Sequence, residues 1–484
     1  MALLAARPHH PAMSPLPLAG LAPAEAPSSP HDENSHGAAS RGGRTRPALA
    51  AAGLAAVALV AFFGLEGAVA TRTVLIGGAC LVLWLTEVVP GFVPTLLLLG
   101  ATPVLLGPLD SAYHLPSVLA WCADPVLILF LGGFTLEVAA MRHGLDASVA
   151  RHVVRGSAGH PRRLVMLVMA GVAFLSMWMS NVAAAAMMLA ALRPLLKATP
   201  AGAPLKPALL LGVALAANVG GMATPVGSGP NALAVAAAAE HAQVTFAKWM
   251  LFALPLALLL LGVGFGLILL RFRLGGRLSL PAEDVASAPL SRAGRRVLWV
   301  SAVCVAAWLS EPLHGVAAPV VALGATALLF GTGLLKREDL GRLDWATLLL
   351  IAGGIALGRL LEHSGLVARA LSGADLEGWP VPAQLGVLVV AAALLSALMS
   401  NTGTAALLIP LATQLHPAAS TPVLVALGCS LGMPFVISTP PNAMTVGEGL
   451  DSSELMKLGV PLMLGGCLLV SLTGPTVLRL LGLP

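Results

Sequence analysis

Residues 176–189 read SMWMSNVAAAAMML, and residues 396–409, in the second half of the chain, read SALMSNTGTAALLI. Each segment carries a Ser-Asn pair among small apolar residues, at 180–181 and at 400–401. Polar side chains are costly inside an apolar membrane protein and usually serve its function. Two such pairs at matching points of the two halves predict a binding site built where two repeats meet.

The repetition extends to the flanking sequence. A Gly-Gly pair precedes each segment, at 132–133 and at 353–354. A stretch rich in Gly, Pro and Asn follows each one, NVGGMATPVGSGPNALA at 218–234 and LGMPFVISTPPNAMTVGEG at 431–449. Asn401 lies 220 residues after Asn181, and Asn442 lies 211 residues after Asn231. The pattern indicates one unit used twice.

The composition is that of a membrane protein. Of the 484 residues, 57% are hydrophobic and only 10% are charged, whereas about 25% are charged in soluble domains. Apolar runs of roughly 20 residues, long enough to cross the hydrocarbon layer, recur from residue 47 onward. Residues 1–46 lack this pattern and predict a disordered cytoplasmic tail. The net charge of +5 comes from Lys and Arg between spans, which indicates membrane topology and no nucleic-acid partner.

Two apolar stretches, 164–196 and 383–413, are too long for one pass, because about 32 helical residues would extend near 50 Å. The first has basic residues at both ends, which places both ends on the cytoplasmic side. It therefore predicts a re-entrant hairpin with its tip at Ser180-Asn181, covered by protein or by an aqueous cavity. The same reasoning places a second tip at Ser400-Asn401-Thr402, in a repeat inverted relative to the first.

The predicted fold is an all-α polytopic membrane protein of two inverted five-span repeats plus one N-terminal span. It has two re-entrant hairpins and two broken helices, near 207–239 and 421–447. With the N-terminus cytoplasmic in the cell's inner (plasma) membrane, the inner segments hold 22 of the 27 Lys and Arg residues. A broken helix exposes N-terminal amides that suit an anion and carbonyls that suit Na⁺.

Other chemistries find little support in the sequence. The spans contain no Asp/Glu/His relay at mid-depth, as a proton pump would need, and no HExxH or GxSxG motif. The acidic residues near span ends predict interfacial or packing roles; they are Glu87, Asp124, Glu137, Glu311 and Glu362. Hydrogen bonding between packed helices is the alternative interpretation of each Ser-Asn pair.

Several segments resemble the divalent anion/sodium symporters, the family of Na⁺-coupled dicarboxylate, citrate and sulfate transporters. They are WLTEVVP at 84–90, LFLGGFTLEVAAMRHGL at 129–145, AFLSMWMSN at 173–181, GSGPNA at 227–232, FAKWMLFALP at 246–255, SNTGTAALLIP at 400–410 and STPPNA at 438–443. The resemblance implies an elevator transporter, usually a homodimer. Its scaffold would be 47–162 and 272–382, and its transport domain 163–271 and 383–484.

The resemblance also implies the site residues. A first Na⁺ site would use Ser176, Ser180, Asn181 and a carbonyl near Gly227, and a second would use Ser396, Asn401 and carbonyls near Met399 and Ser438. The anion would contact Asn181, Ser228, Asn401, Thr402, Thr439 and Pro440. This sequence departs from the family at Val182, which stands where the usual tip has Thr and which removes one hydroxyl.

The sequence therefore predicts Na⁺-driven import of a small dianion, a four-carbon dicarboxylate such as succinate, malate or fumarate. A sulfate or citrate carrier remains an alternative, as does a Na⁺-independent dicarboxylate exchanger. A membrane enzyme would need a reactive residue at membrane depth, which the sequence lacks. A passive channel is disfavoured because inverted repeats with re-entrant tips suit alternating access.

Overall fold

The computed structural model describes residues 36–63, 68–200, 202–276, 290–366 and 380–483. The chain divides into a short unit, 1–45, and a large unit, 46–484. Most of the predicted tail lies outside the described residues, and the first helix already begins at His36. The helices are α1 (His36–Phe63), α2 (Ala68–Thr86), α3 (Val93–Leu105), α4 (Leu115–Trp121), α5 (Pro125–Arg142), α6 (Leu145–Gly156), α7 (Pro161–Ser176), α8 (Asn181–Ala198), α9 (Leu205–Gly221), α10 (Gly229–Ala238), α11 (Phe246–Arg271), α12 (Arg292–Leu309), α13 (Glu311–His314), α14 (Ala318–Gly331), α15 (Trp345–Ser364), α16 (Val381–Ser396), α17 (Asn401–Leu415), α18 (Ser420–Leu431), α19 (Pro440–Gly447) and α20 (Ser452–Leu480).

Six of these helices are long and apolar enough to cross a membrane: α2, α5, α8, α11, α15 and α20. Several shorter helices of 10–17 residues, including α3, α9, α14, α16 and α18, are apolar as well. Large apolar side chains on α11 and α20 face outward, as expected where the surrounding solvent is lipid; Leu258, Leu270, Leu468 and Leu472 are more than half exposed. The predicted count of eleven passes remains a prediction.

Each long apolar stretch contains two helices. Helix α7 ends at Ser176 and α8 begins at Asn181, and α16 and α17 are separated in the same way after Ser396. Ser180 and Ser400 are the N-cap residues of α8 and α17, and each Oγ accepts a hydrogen bond from the amide three residues later, at 3.3 Å and 3.2 Å. Serine is a preferred N-cap because it satisfies one of the free amides of the first turn. The Ser-Asn pairs therefore begin new helices.

The helices of the large unit pack in corresponding pairs. Helix α7 packs on α9 as α16 packs on α18, and α5 packs on α14 as α15 packs on α3. Contacts also cross between the halves, since α10 packs on α17 and α19 packs on α8. Each short helix that follows a break thus lies against the hairpin of the other half, which brings both Ser-Asn pairs and both breaks into one region.

A buried carboxylate fastens the loop before α15 to the end of α5. Asp339 pairs with Arg142 and accepts the Lys336 amide at 2.8 Å. Burial raises the pKa of Asp339, but the hydrogen bonds from Lys336 and Arg142 outweigh it and hold the pKa below its ordinary value. The two segments of the predicted scaffold are joined here by a charged pair.

Candidate functional site

Three oxygen atoms converge where the first tip meets the last turns of α9. Ser176 Oγ lies 2.6 Å from Asn181 Oδ1 and 2.7 Å from the carbonyl oxygen of Ala217. Ser176 is fully buried. Its hydroxyl has one hydrogen and can serve only one of these acceptors at a time. The arrangement of hydroxyl, amide and carbonyl oxygens offers a cation such as Na⁺ the ligands it takes at broken helices.

The second tip repeats this oxygen cluster. Ser396 Oγ lies 2.7 Å from Asn401 Oδ1 and 2.6 Å from the carbonyl oxygen of Cys429, in the last turn of α18. Ser396 is also fully buried. We call the two groups, Ser176–Asn181–Ala217 and Ser396–Asn401–Cys429, the first and second oxygen clusters. Each joins a hairpin tip to the helix that ends at a break.

Two buried asparagines shape the breaks. Asn231 Nδ2 donates to the carbonyls of Gly221 and Thr224, at 2.9 Å and 2.8 Å. Asn442 Nδ2 donates in the same way to the carbonyls of Met433 and Phe435, at 3.0 Å and 2.8 Å. The carbonyls of Thr224 and Phe435 also accept backbone amides, from Gly227 and Ser438, so each asparagine adds a second donor to its break. The two breaks therefore share the same pattern of side-chain hydrogen bonds.

Close packing brings the predicted members of the first Na⁺ site together. A Cβ atom on Gly221 would lie 2.3 Å from Asn181 Oδ1, and one on Gly227 would lie 2.4 Å from the Gly221 carbonyl oxygen. Only glycine leaves room for such approaches. Gly221 thus contacts both Asn181 and Gly227, which places Gly227 at the edge of the first oxygen cluster.

The two helices after the breaks begin with hydroxyl residues that do not cap them. Ser228 precedes α10 and Thr439 precedes α19, both with extended backbone and no side-chain hydrogen bond to the helix. Both hydroxyl oxygens are buried and have no hydrogen-bond partner among the described residues. A buried hydroxyl without a partner costs about 1 to 3 kcal/mol, and a helix N-terminus attracts anions. The pair is suited to an anionic ligand that supplies the missing partners.

Thr402 and Pro440 complete this part of the site. A Cβ atom on Gly229 would lie 2.4 Å from Thr402 Oγ1, so the second tip packs against the first residue of α10. Thr402 and Ser228 are therefore near neighbours across the two halves. Pro440 is the first residue of α19 and has no N–H, so it adds no donor to the helix start.

Three predicted site residues make contacts within the protein. Ser180 donates from N and Oγ to the carboxylate of Glu137, at 3.0 Å and 2.9 Å. Ser438 Oγ donates to the Ala397 carbonyl at 2.7 Å. Met399 is buried, and its side chain lies beside Gly403. The hydroxyls of Ser180 and Ser438 are thus occupied by protein acceptors.

Sequence reasoning missed two groups of contributors. The carbonyls of Ala217 and Cys429 belong to unremarkable helical residues, and a side-chain pattern gives no signal for a backbone ligand. The sequence predicts interfacial or packing roles for Glu87 and Glu137; in the structure Glu137 accepts hydrogen bonds from Ser180 and Glu87 accepts the Ser400 amide at 3.1 Å. The available signal was the cost of placing a carboxylate in the apolar segment LGGFTLEVAA.

Comparison with known proteins finds membrane transporters. The sequence model of the citrate transporter family, CitMHS, matches residues 81–430. An uncharacterized transporter of Haemophilus influenzae is 30% identical in an alignment 410 positions long, which covers 78% of this chain and 85% of that protein. The sodium-dependent dicarboxylate transporter SdcS of Staphylococcus saprophyticus is 26% identical and covers 77% of this chain and 79% of its own length.

Two further similar proteins are a yeast phosphate transporter and a bacterial transporter of known structure. The inorganic phosphate transporter PHO87 of Saccharomyces cerevisiae is 28% identical over 79% of this chain, which spans only 44% of the yeast protein. The crystal structure of the Alcanivorax borkumensis YdaH transporter superposes with a TM-score of 0.56 at 18% identity, covering 80% of this chain and 98% of that one. At that identity the likeness concerns the fold alone.

The fold and the site define an all-helical, multi-pass membrane transporter, and not an enzyme. The chain belongs to the citrate transporter family, whose relatives include transporters named for dicarboxylate and for phosphate.

Proposed function

We propose that the protein is a Na⁺-coupled symporter of a small divalent anion, with a four-carbon dicarboxylate such as succinate, malate or fumarate as its substrate. The two oxygen clusters carry this proposal. In each cluster an asparagine amide oxygen and a backbone carbonyl oxygen lie within 2.7 Å of the serine Oγ. Their repetition in both halves supports two Na⁺ positions flanking one anion.

The charges of the named groups support coupling. The tip residues and the break residues are neutral, so a dianion held among them lacks a fixed counter-charge. Removing an anion from water without a compensating charge is costly. Two Na⁺ ions at the tips would supply that charge, and the unpartnered hydroxyls of Ser228 and Thr439 would donate to the anion. Na⁺ binding would then precede anion binding.

A Na⁺-independent dicarboxylate exchanger is the alternative that the geometry also permits. If the Asn181 amide were turned over, Nδ2 would donate to Ser176, whose hydroxyl would donate to Ala217, and the cluster would be satisfied without a cation. The same holds for Asn401 in the second cluster. The Na⁺ dependence of transport therefore distinguishes the two functions.

The proposed mechanism is an elevator. The transport domain, 163–271 and 383–484, would carry the clusters across the membrane against a scaffold of 47–162 and 272–382. We further propose a homodimer in the inner membrane with a cytoplasmic N-terminus. The family resemblance supports these assignments, and the interlocked packing of α10 on α17 and α19 on α8 supports one transport domain drawn from both halves.

The test is uptake of labelled succinate into proteoliposomes containing the purified protein. We expect concentrative uptake with an inward Na⁺ gradient and none when K⁺ replaces Na⁺. Uptake that needs preloaded succinate but no Na⁺ would identify an exchanger. Because relatives are named for phosphate as well as for dicarboxylate, a panel of citrate, sulfate and phosphate follows if succinate is not transported.

A further inference from the structure

A carboxylate of the predicted scaffold binds the first hairpin tip. Glu137, on α5, accepts the Ser180 amide at 3.0 Å through one oxygen and the Ser180 hydroxyl at 2.9 Å through the other. Both acceptor atoms of the carboxylate therefore bind one residue of the predicted transport domain. Two hydrogen bonds from one residue to the two oxygens of a single carboxyl group fix the tip's position.

An aromatic stack reinforces the contact of the first tip. Trp178 at the tip stacks on Phe246, with ring centroids 6.2 Å apart, and Phe246 stacks on Trp308 of α12 at 4.9 Å. Trp308 belongs to the predicted scaffold. A cavity of about 920 Å³ borders Glu137, Trp178 and Trp308. The tip thus lies beside a cavity, while Phe246 and Trp308 of the stack are themselves buried.

A second scaffold carboxylate binds the second tip. Glu87, just after α2, accepts the Ser400 amide at 3.1 Å. Its backbone φ is +49°, a conformation that residues other than glycine seldom adopt. Arg46 approaches the same carboxylate at 3.7 Å. A cavity of about 460 Å³ borders both Glu87 and Ser400. The contact repeats, in weaker form, the contact of Glu137 with Ser180.

We propose that Glu137 and Glu87 are positioning residues that latch the two hairpin tips to the scaffold in the conformation described, and that each latch opens when the transport domain moves. The inference rests on the proposed elevator-type transport. Ser180 and Ser400 are the N-caps of the helices that begin at the two tips. Each latch therefore acts on the residue next to Asn181 or Asn401. Holding that residue orients the amide that contributes to the oxygen cluster.

The latches differ from an ion pair that also links the predicted domains. Arg359 of α15 pairs with Glu240, after α10, at 2.6 Å, but both side chains are more than a third exposed. An exposed pair of this kind contributes little and contacts no tip residue. It supplies a matched control, because its removal also eliminates a polar contact between scaffold and transport domain.

Cysteine pairs test the latch directly. In a background with the five native cysteines replaced by alanine, Glu137→Cys is combined with Ser180→Cys, and Glu87→Cys with Ser400→Cys. Hg²⁺ bridges two nearby thiolates, and protection from maleimide-polyethylene glycol reports the bridge without reference to any substrate. The mismatched pair Glu137→Cys with Ser400→Cys is the control. We expect bridging in both matched pairs, loss of Na⁺-driven succinate uptake on bridging, and recovery with excess dithiothreitol.

Each outcome decides the proposal. A bridge that leaves uptake intact would overturn it, because the latch would not need to open, and failure to bridge would overturn the geometry. If the cysteine-free protein with all four of these residues intact does not transport succinate, the proposed substrate fails separately, and the latch is then judged by whether Na⁺ alters the bridging rate. Glu137→Gln, which keeps the side chain's size, provides a second test. We expect it to change the maximal uptake rate several-fold while the Na⁺ dependence persists, whereas Glu240→Gln leaves the rate unchanged.

Discussion

The two hairpin tips share their internal chemistry and differ in their attachment. Both place a serine hydroxyl between an asparagine amide and a helix carbonyl, with distances that agree within 0.1 Å. At the first tip, Ser180 donates two hydrogen bonds to the carboxyl group of Glu137, and an aromatic stack adds a further contact with the predicted scaffold. At the second tip, Ser400 donates one hydrogen bond to the exposed Glu87. Under the proposed mechanism, the matching clusters would bind ligands and the unequal attachments would govern movement.

The tips also differ in what they present beyond the cluster. Thr402 places a hydroxyl beside Gly229 at the start of α10. Val182, the corresponding residue of the first tip, is exposed and apolar. In the proposed site the first half would therefore offer the anion one donor fewer, and the second half would bind the substrate more strongly. The following substitutions test where the halves are equal and where they are not.

We expect the largest effect when the tip asparagine of either half is replaced. Asn181→Ala and Asn401→Ala each remove an oxygen of a cluster and a group that contacts the anion, so we expect each to reduce succinate uptake to background. Size-exclusion profile and tryptophan fluorescence control for folding. Full uptake in either variant would show that the two halves are not both part of the site.

The next effect separates Na⁺ from substrate. Ser176→Ala and Ser396→Ala remove the central oxygen of each cluster, and we expect the Na⁺ concentration for half-maximal uptake to rise about tenfold, equivalent to about 1.4 kcal/mol. Ser310→Ala, which loses a hydroxyl bonded only within α12, is the control. An effect in one cluster alone would assign Na⁺ to that half and make the other a structural copy.

The helix-start hydroxyls should affect the anion without affecting stability. Ser228→Ala and Thr439→Val remove groups that have no hydrogen-bond partner among the described residues, so the folded protein loses no bond. We expect the succinate KM to rise several-fold, corresponding to about 1 kcal/mol for one hydrogen bond, with an unchanged or raised melting temperature. A lower melting temperature at an unchanged KM would contradict a ligand role.

The smallest effect concerns the asymmetric tip position. Val182→Thr adds the hydroxyl that the second tip has, and Thr402→Val removes it. A neutral hydrogen bond contributes about 0.5 to 1.5 kcal/mol, so we expect the first variant to lower the KM a few-fold and the second to raise it. Competition by unlabelled succinate measures both. If Val182→Thr instead changes which anion competes best, the first tip sets substrate choice.

The helix starts at the tips and the two breaks could be predicted from the sequence, because they depend on side-chain type. The Ser-Asn pairs mark helix starts, and Pro with Gly marks the breaks, since both act locally on the backbone. Ala217 and Cys429 could not be predicted, because they contribute through carbonyl groups that every residue carries. The contacts of Glu137 and Glu87 could not be predicted because their partners, Ser180 and Ser400, lie 43 and 313 residues away.

The most direct test of the central claim is calorimetric titration of the purified protein with succinate in Na⁺ and in choline buffer. If the two oxygen clusters bind Na⁺ beside the anion, succinate binds at least tenfold more tightly in Na⁺, and succinate tightens Na⁺ binding by the same factor. Equal succinate affinity in both buffers would contradict the account, because the clusters would then be hydrogen-bonded structure and not cation sites.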